Sequence, residues 1–452
     1  GTANAAKVFT ASGDVYSTAI SLSNADSELV FGKDNMLVTG AFVLGGNEYG
    51  ILTVSNSGTI VGQSGTAGTA IKAANIASGK SLTLSGGDAS IKTVTLAANT
   101  ASIILGGSVN HTVTIGTAFD PATNDGTLGL TGSATRTINA TFGTGANSFK
   151  QVNLGGTGLN TFASGNDKQY IKTLTFIDAA ASKATFAGGA EIDDAINFTA
   201  ASQALTFNKS STLTGGINFD TYAASVTVDS TAGNNTFTGA FTAAVTSTSA
   251  QTKGTLNITG SNTTTVTETV GTSDTQRLNA LNITGDAVFS SPVYVFTIGV
   301  TGANATFNDI VNSNHPYTTV NQGVINIWND TATATFNADF HGIMRFIGYN
   351  GSITMADNTT ITGTVDGASG ADARGILNAS GDLVITDNVG IIQPLKVLNV
   401  NGSGKVLSLQ GNATIGSLNF VGDSTLLMSA SKTFTGNIYA TSANIGTIDA
   451  TS

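Results

Sequence analysis

Glu191, Asp193 and Asp194 form the densest group of acids in the chain, and Glu191 and Asp193, two residues apart, would share one face of a strand. Paired carboxylates are what glycosidic cleavage needs, one as acid and one as base or nucleophile. Enzymes of that kind built on β-helices also hold uronates with Lys or Arg. No basic residue follows within several positions, so the group reads as a solvated turn.

The three histidines, His111, His315 and His341, stand alone, without the His-x-His or His-Glu-x-x-His spacing that puts two ligands on one face. Each reads as a surface or hydrogen-bonded histidine. The run Gly155-Gly156-Thr157-Gly158-Leu159-Asn160-Thr161-Phe162 resembles one copy of the glycine-rich nonapeptide that binds calcium in RTX proteins, and a near-copy runs from Gly143 to Phe149. Calcium there needs carboxylates at the repeat spacing. Asn stands in their place, so both runs read as coil turns. No phosphate-binding loop, no Gly-x-Ser-x-Gly elbow and no Ser/His/Asp arrangement is present. No catalytic, metal-binding or cofactor-binding residue is therefore expected, and no enzyme. Calcium is the one metal the glycine motif would take.

The elements that would position any such residue repeat. Leu398-Asn399-Val400 runs towards Gly402, two short apolar-alternating runs follow, and Leu418-Asn419-Phe420 starts the cycle again after 418 − 398 = 20 residues. A unit this short holds two or three strands and cannot enclose a core, so it must stack on copies of itself. Reading backwards for an apolar, polar, apolar, small pattern gives Leu377, Met344, Ile325, Leu281 and Leu256, then the series Leu82, Ile103, Leu128, Val152, Leu174, Ile196, Ile217 at intervals of 21, 25, 24, 22, 22 and 21. The register blurs between Leu52 and Leu82, between Ile217 and Leu256, and between Leu281 and Ile325, where a coil is skipped or widened. Recurrent Asn at one coil position (Asn197, Asn218, Asn257, Asn282, Asn399, Asn419) fits an outward strand position better than a stacked amide ladder, because apolar neighbours flank each one.

Gly fills 55 of 452 positions, Pro only 4, and 40% of residues are hydrophobic, in alternating β-branched runs such as Ser81-Leu82-Thr83-Leu84-Ser85. Such a chain can bury a core and should fold. Helical stripes are absent, so the expected class is all-β, a parallel β-helix of roughly 20 coils. About 20 coils at ~4.8 Å spacing would make a rod on the order of 100 Å long. A net charge of −10 with only four arginines argues against nucleic acid, which needs clustered cations. Absence of Cys suits export without deciding it. No stretch of 18 apolar residues exists, so no membrane-spanning helix is expected.

Residues 1–50 are strand-like but off the later register and read as an N-terminal cap region. Residues 51–452 read as β-helix repeats, with an irregular, aromatic-richer stretch at 286–350 that carries Tyr294, Phe296, Tyr317, Trp328, Phe340, Phe346 and Tyr349. The chain begins with Gly1 rather than Met, which suits a mature secreted chain or a piece of a larger protein.

The runs Val397-Leu398-Asn399-Val400-Asn401-Gly402-Ser403-Gly404, Ile415-Gly416-Ser417-Leu418-Asn419-Phe420, Phe434-Thr435-Gly436-Asn437-Ile438 and Ala443-Asn444-Ile445-Gly446-Thr447-Ile448 together resemble the passenger region of large bacterial autotransporters, closest in style to rickettsial surface antigens. They are also similar to S-layer proteins. The resemblance lies in repeat style over most of the chain, and it transfers no functional residue; the sequence holds no C-terminal translocator barrel. It implies an extracellular location on the bacterial outer cell surface. Two function classes follow. The first is a structural or interaction protein, as layer or fibre subunit or adhesin, whose partners are copies of itself and host-cell or envelope glycans. The second is a carbohydrate-active β-helix enzyme, a lyase or hydrolase, with the aromatics of 286–350 as a sugar-stacking platform.

Overall fold

A computed structural model describes residues 6–66, 68–98, 100–108, 111–115, 126–140, 148–163, 168–178, 181–220, 222–237, 241–242, 253–271, 277–313, 323–348, 350–367, 372–443 and 445–450. The chain divides into two compact units, residues 1–218 with 222–224, and residues 219–221 with 225–452. Each unit is a parallel β-solenoid. Its strands alternate inward apolar and outward polar residues, and each strand pairs in parallel with the coils before and after it.

In unit 1 the series Leu82, Ile103, Leu128, Val152, Leu174, Ile196, Ile217 is one continuous inward rank, each residue the register partner of the next. All seven are at most 2% exposed. Burial of each side chain stabilises the stack by about 1.5–3 kcal/mol. A second inward rank is aromatic. Phe162 stacks on Phe186 at 4.5 Å between ring centres, and Phe186 on Phe207 at 5.6 Å. The strands of residues 8–44 also join the stack: Val8–Ala11 pairs with Glu28–Phe31, which pairs with Tyr49–Val54, and Leu29, Phe31, Met36 and Val38 are buried.

In unit 2 the anchors fall into two different ranks. Val226, Leu256, Leu281, Ile298, Ile325, Met344 and Val365 follow one another on one face. Ile298 supplies the coil that sequence spacing left blank between Leu281 and Ile325. Leu377, Leu398 and Leu418 belong to another face, in line with Ile353 rather than Met344. The described strands of 286–350 pair in parallel with their neighbours. Phe289, Phe307 and Phe336 stack at 5.0 and 4.9 Å, and Phe340 and Phe346 are core residues.

Corners are closed by side chains, because an N–H that turns off the ladder needs another acceptor. Asp14 accepts from the Leu37 N–H at 3.0 Å, Asp34 from Ser57 at 3.1 Å and Asn47 from Ala70 at 3.0 Å. In unit 2, Asp357 caps Asp382, which caps Val406, both at 2.7 Å. Lysines then tie alternate coils. Lys80 reaches Asp34 at 2.9 Å across 46 residues, and Lys405 reaches Asp357 at 2.5 Å across 48. Two coils rise about 10 Å, which an extended lysine and an aspartate can bridge.

Candidate functional site

The acids Glu191, Asp193 and Asp194 lie on the strand Ala190–Asn197, with Glu191 half-exposed and both aspartates exposed. This strand bulges there against its neighbour Gln169–Phe176, pairing Ile192 with Ile171 but Ala195 with Thr173, so the two aspartates lie opposite Lys172 alone. Sequence spacing offered these acids no cation. The coil before supplies one: Lys168 Nζ is 3.6 Å from Glu191 Oε2 and 3.3 Å from the Thr212 hydroxyl. The signal was there, 23 residues upstream, one coil length. Among the described residues no three His, Asp or Glu side chains converge as a metal site.

The glycine run 155–162 is a coil turn. Gly156 takes φ +76°, and a Cβ there would lie 1.6 Å from the Gly132 carbonyl oxygen, so only glycine lets the two coils meet. Its N–H donates to Asp178 Oδ2 at 2.6 Å. Asn160, where calcium motifs carry an acid, is fully buried, and its Oδ1 accepts from Arg136 Nη1 at 3.2 Å. Arg136 is itself wholly buried and also donates to the carbonyls of Ala134 and Thr131. Burial pulls its guanidinium pKa down to about 10. A buried cation with carbonyl partners occupies the turn. In the near-copy, 143–147 lie outside the described residues. His315 also lies outside them, His111 sits in the strand His111–Ile115, and half-exposed His341 offers its backbone carbonyl to Ser313.

Of the recurrent asparagines, Asn257, Asn282, Asn399 and Asn419 face outward and also form ladders. Asn419 Nδ2 donates to Asn399 Oδ1 at 2.8 Å, Asn399 Nδ2 to Asn378 Oδ1 at 2.8 Å, and Asn378 reaches the Thr354 hydroxyl at 3.5 Å. A second ladder runs from Asn282 to Asn257 at 2.9 Å and on to the Thr227 hydroxyl at 3.3 Å. Outward position and amide stacking are compatible because neighbouring coils are in register, so each outward side chain meets its counterpart one coil away.

The second ladder stops at Gly299, the register partner of Asn282, and the rank continues through Asn326 and Arg345 to Asp366. Across the bare backbone of Gly299 lies Trp328, 50% exposed, at the end of the strand Val324–Ile327. A Cβ built on Gly299 would come within 3.1 Å of the indole Nε1 and 3.6 Å of Asn282 Oδ1. Sequence reasoning listed Trp328 as one of seven aromatics without seeing that a glycine 29 residues earlier makes room for it. Among the described residues no other aromatic stacks on it as a platform. Phe340 and Phe346 are internal, Tyr294 and Phe296 are half-buried, and Tyr317 and Tyr349 lie outside the described residues. No protein-family model matches the chain, and neither curated proteins nor solved structures give a significant match.

Proposed function

We propose that the chain is a structural and interaction element of the bacterial cell surface, a layer or fibre subunit or an adhesin, that works through a repetitive outer face and association with copies of itself. The observation that carries this reading is the use of outward polar side chains as coil-to-coil bonds. The Asn378–Asn399–Asn419 ladder, the Asp357 and Asp382 caps and the Lys405 tie all hold one coil to another. Such a surface is rigid and repeats at the coil spacing, as a lattice contact requires.

Light scattering and negative-stain microscopy of the 452-residue chain test this. Concentration-dependent particles are expected; strict monomers at high micromolar concentration would refute self-association. The second reading, a carbohydrate-active lyase or hydrolase, is favoured by the Lys168–Glu191 approach. Polyuronide turnover that is lost in Glu191→Gln with Asp193→Asn would establish it instead.

A further inference from the structure

Each amide in the ladder on the outer face of unit 2 donates back to the coil before it and leaves its oxygen for the coil after. Asn257 Oδ1 receives Asn282 Nδ2 in this way. The oxygen of Asn282 has glycine as its next neighbour, and among the described residues no donor reaches it. The Trp328 Nε1, a donor only, likewise meets no acceptor among the described residues. An unused acceptor and an unused donor therefore flank the backbone of Gly299, beside an indole that is half open to solvent.

We propose that this spot binds a neutral glycan, an inference that rests on the reading of the outer face as an interaction surface. The flat indole offers the apolar C–H face of a pyranose ring a surface on which both shed water. The Asn282 oxygen accepts a hydroxyl proton from the same sugar, and Nε1 donates to a hydroxyl oxygen. An amide ladder fixes the Asn282 orientation before any ligand arrives, so little side-chain freedom is lost on binding. The charge of the sugar follows from the surroundings. The cation nearest in the rank, Arg345, is the register partner of an acid, Asp366, and the chain carries a net charge of −10. A polyuronate would meet repulsion from the whole molecule and find no unopposed cation in the rank. A neutral hexose chain meets neither obstacle.

The chain contains a single tryptophan, so the emission of the full-length protein, excited at the red edge where tyrosine does not absorb, reports on this spot alone. Cellohexaose, laminarihexaose, maltohexaose and soluble mannan are titrated, with polygalacturonate as the charged comparison. At least one neutral probe should shift or quench the emission saturably, and polygalacturonate should not. Calorimetry with that probe should show binding weakened at least about tenfold in Trp328→Ala and about two- to tenfold in Asn282→Ala, the range that one hydrogen bond covers. Gly299→Val, which pushes the indole off its seat, should weaken binding while leaving the circular dichroism spectrum unchanged. No response to any neutral probe at millimolar concentration, stronger binding of polygalacturonate, or equal affinity in Trp328→Ala would overturn the proposal. Light scattering on the same samples separates the two ideas: particles without sugar binding sink only the glycan site, whereas monomers that bind no sugar sink the surface reading as well.

Discussion

Gly129 in unit 1 and Gly299 in unit 2 each interrupt an outward rank of a solenoid, and the two gaps are finished by different chemistry. Gly129 lies between Ile104 and Asn153 in register, and a Cβ on it would come 3.3 Å from Ile104 Cγ1. The result is a shallow hollow of about 280 Å³, edged by Thr127, Thr131, Asn153 and Ile177. In that rank the carboxamide of Asn153 already accepts from Gln151 Nε2 at 2.7 Å. At Gly299 the neighbour is an indole, and the facing carboxamide oxygen is unused among the described residues. The lesson is that a missing side chain alone makes only a dent. Recognition needs the dent to be lined by groups whose hydrogen-bonding capacity the fold has not already taken.

The largest expected effect tests whether the two regions are equivalent inside, as the comparison assumes. Leu128 and Ile298, the inward residues beside the two glycines, are 2% and 0% exposed. Replacing either by Asp places a carboxylate between stacked coils, which costs several kcal/mol even after the group takes up a proton. Both variants should lose cooperative unfolding of their own unit in thermal melts followed by circular dichroism. If only one did, the two gaps would sit on unequal scaffolds and their outer faces could not be compared directly.

How much of this was legible beforehand follows from what sets each feature. The inward rank from Leu82 to Ile217 could be read because burial selects large apolar residues once per coil, and a coil length varies little. The gap between Leu281 and Ile325 could not be filled by eye, since Ile298 sits in a strand, Val293–Val300, that turns two faces without a punctuating glycine turn between them. Met344 and Leu377 were joined in one register although they lie on different faces, because all faces of a coil share one alternating pattern. The pairs that carry chemistry were hidden for a different reason. Lys168 with Glu191, Arg136 with Asn160, and Trp328 with Gly299 are each separated by one coil length or slightly more. Local spacing rules look for partners two to four residues away. In a solenoid the meaningful separation is the coil length, and that length has to be known before the pairs can be seen.

An intermediate effect sharpens the contrast between the gaps themselves. Neither Gly129 nor Gly299 needs the left-handed backbone region, so alanine is conformationally allowed at both and should recover part of the about 0.5–1 kcal/mol that glycine costs within a strand. At Gly129 the new methyl meets the branch of Ile104, whose Cγ1 at 3.3 Å must give by a few tenths of an ångström, and the variant should be as stable as the parent or slightly more. At Gly299 it meets the edge of a rigid ring. The gain should vanish there and the tryptophan emission should move to longer wavelength as the indole leaves its seat. Denaturant melts and emission spectra of the two variants check this, and an unchanged spectrum for Gly299→Ala would mean that the indole is not held against the glycine.

The smallest effect is one in which the two units should agree, because both use the same lysine tie. Lys80 lowers the Asp34 carboxyl below its ordinary value of 3.8, helped by the Ser57 N–H, and Lys405 lowers that of Asp357 in the same way, helped by the Asp382 N–H. A carboxyl whose folded pKa lies below its unfolded one adds stability that is present above 3.8 and is lost as pH falls through the folded value. Lys405 is shifted the other way, raised above 10.5 chiefly by its hydrogen bond to Asp357. Its contribution is complete below 10.5 and fades as pH rises through the folded value. Asp34→Asn and Asp357→Asn should therefore each lower the denaturant midpoint slightly at neutral pH and converge on the parent protein in acid. Salt should shrink the neutral-pH difference, since both pairs are exposed. No midpoint difference at neutral pH would show that the aspartates act only as acceptors for their backbone caps, which asparagine also supplies, and that the lysine ties contribute nothing in either unit.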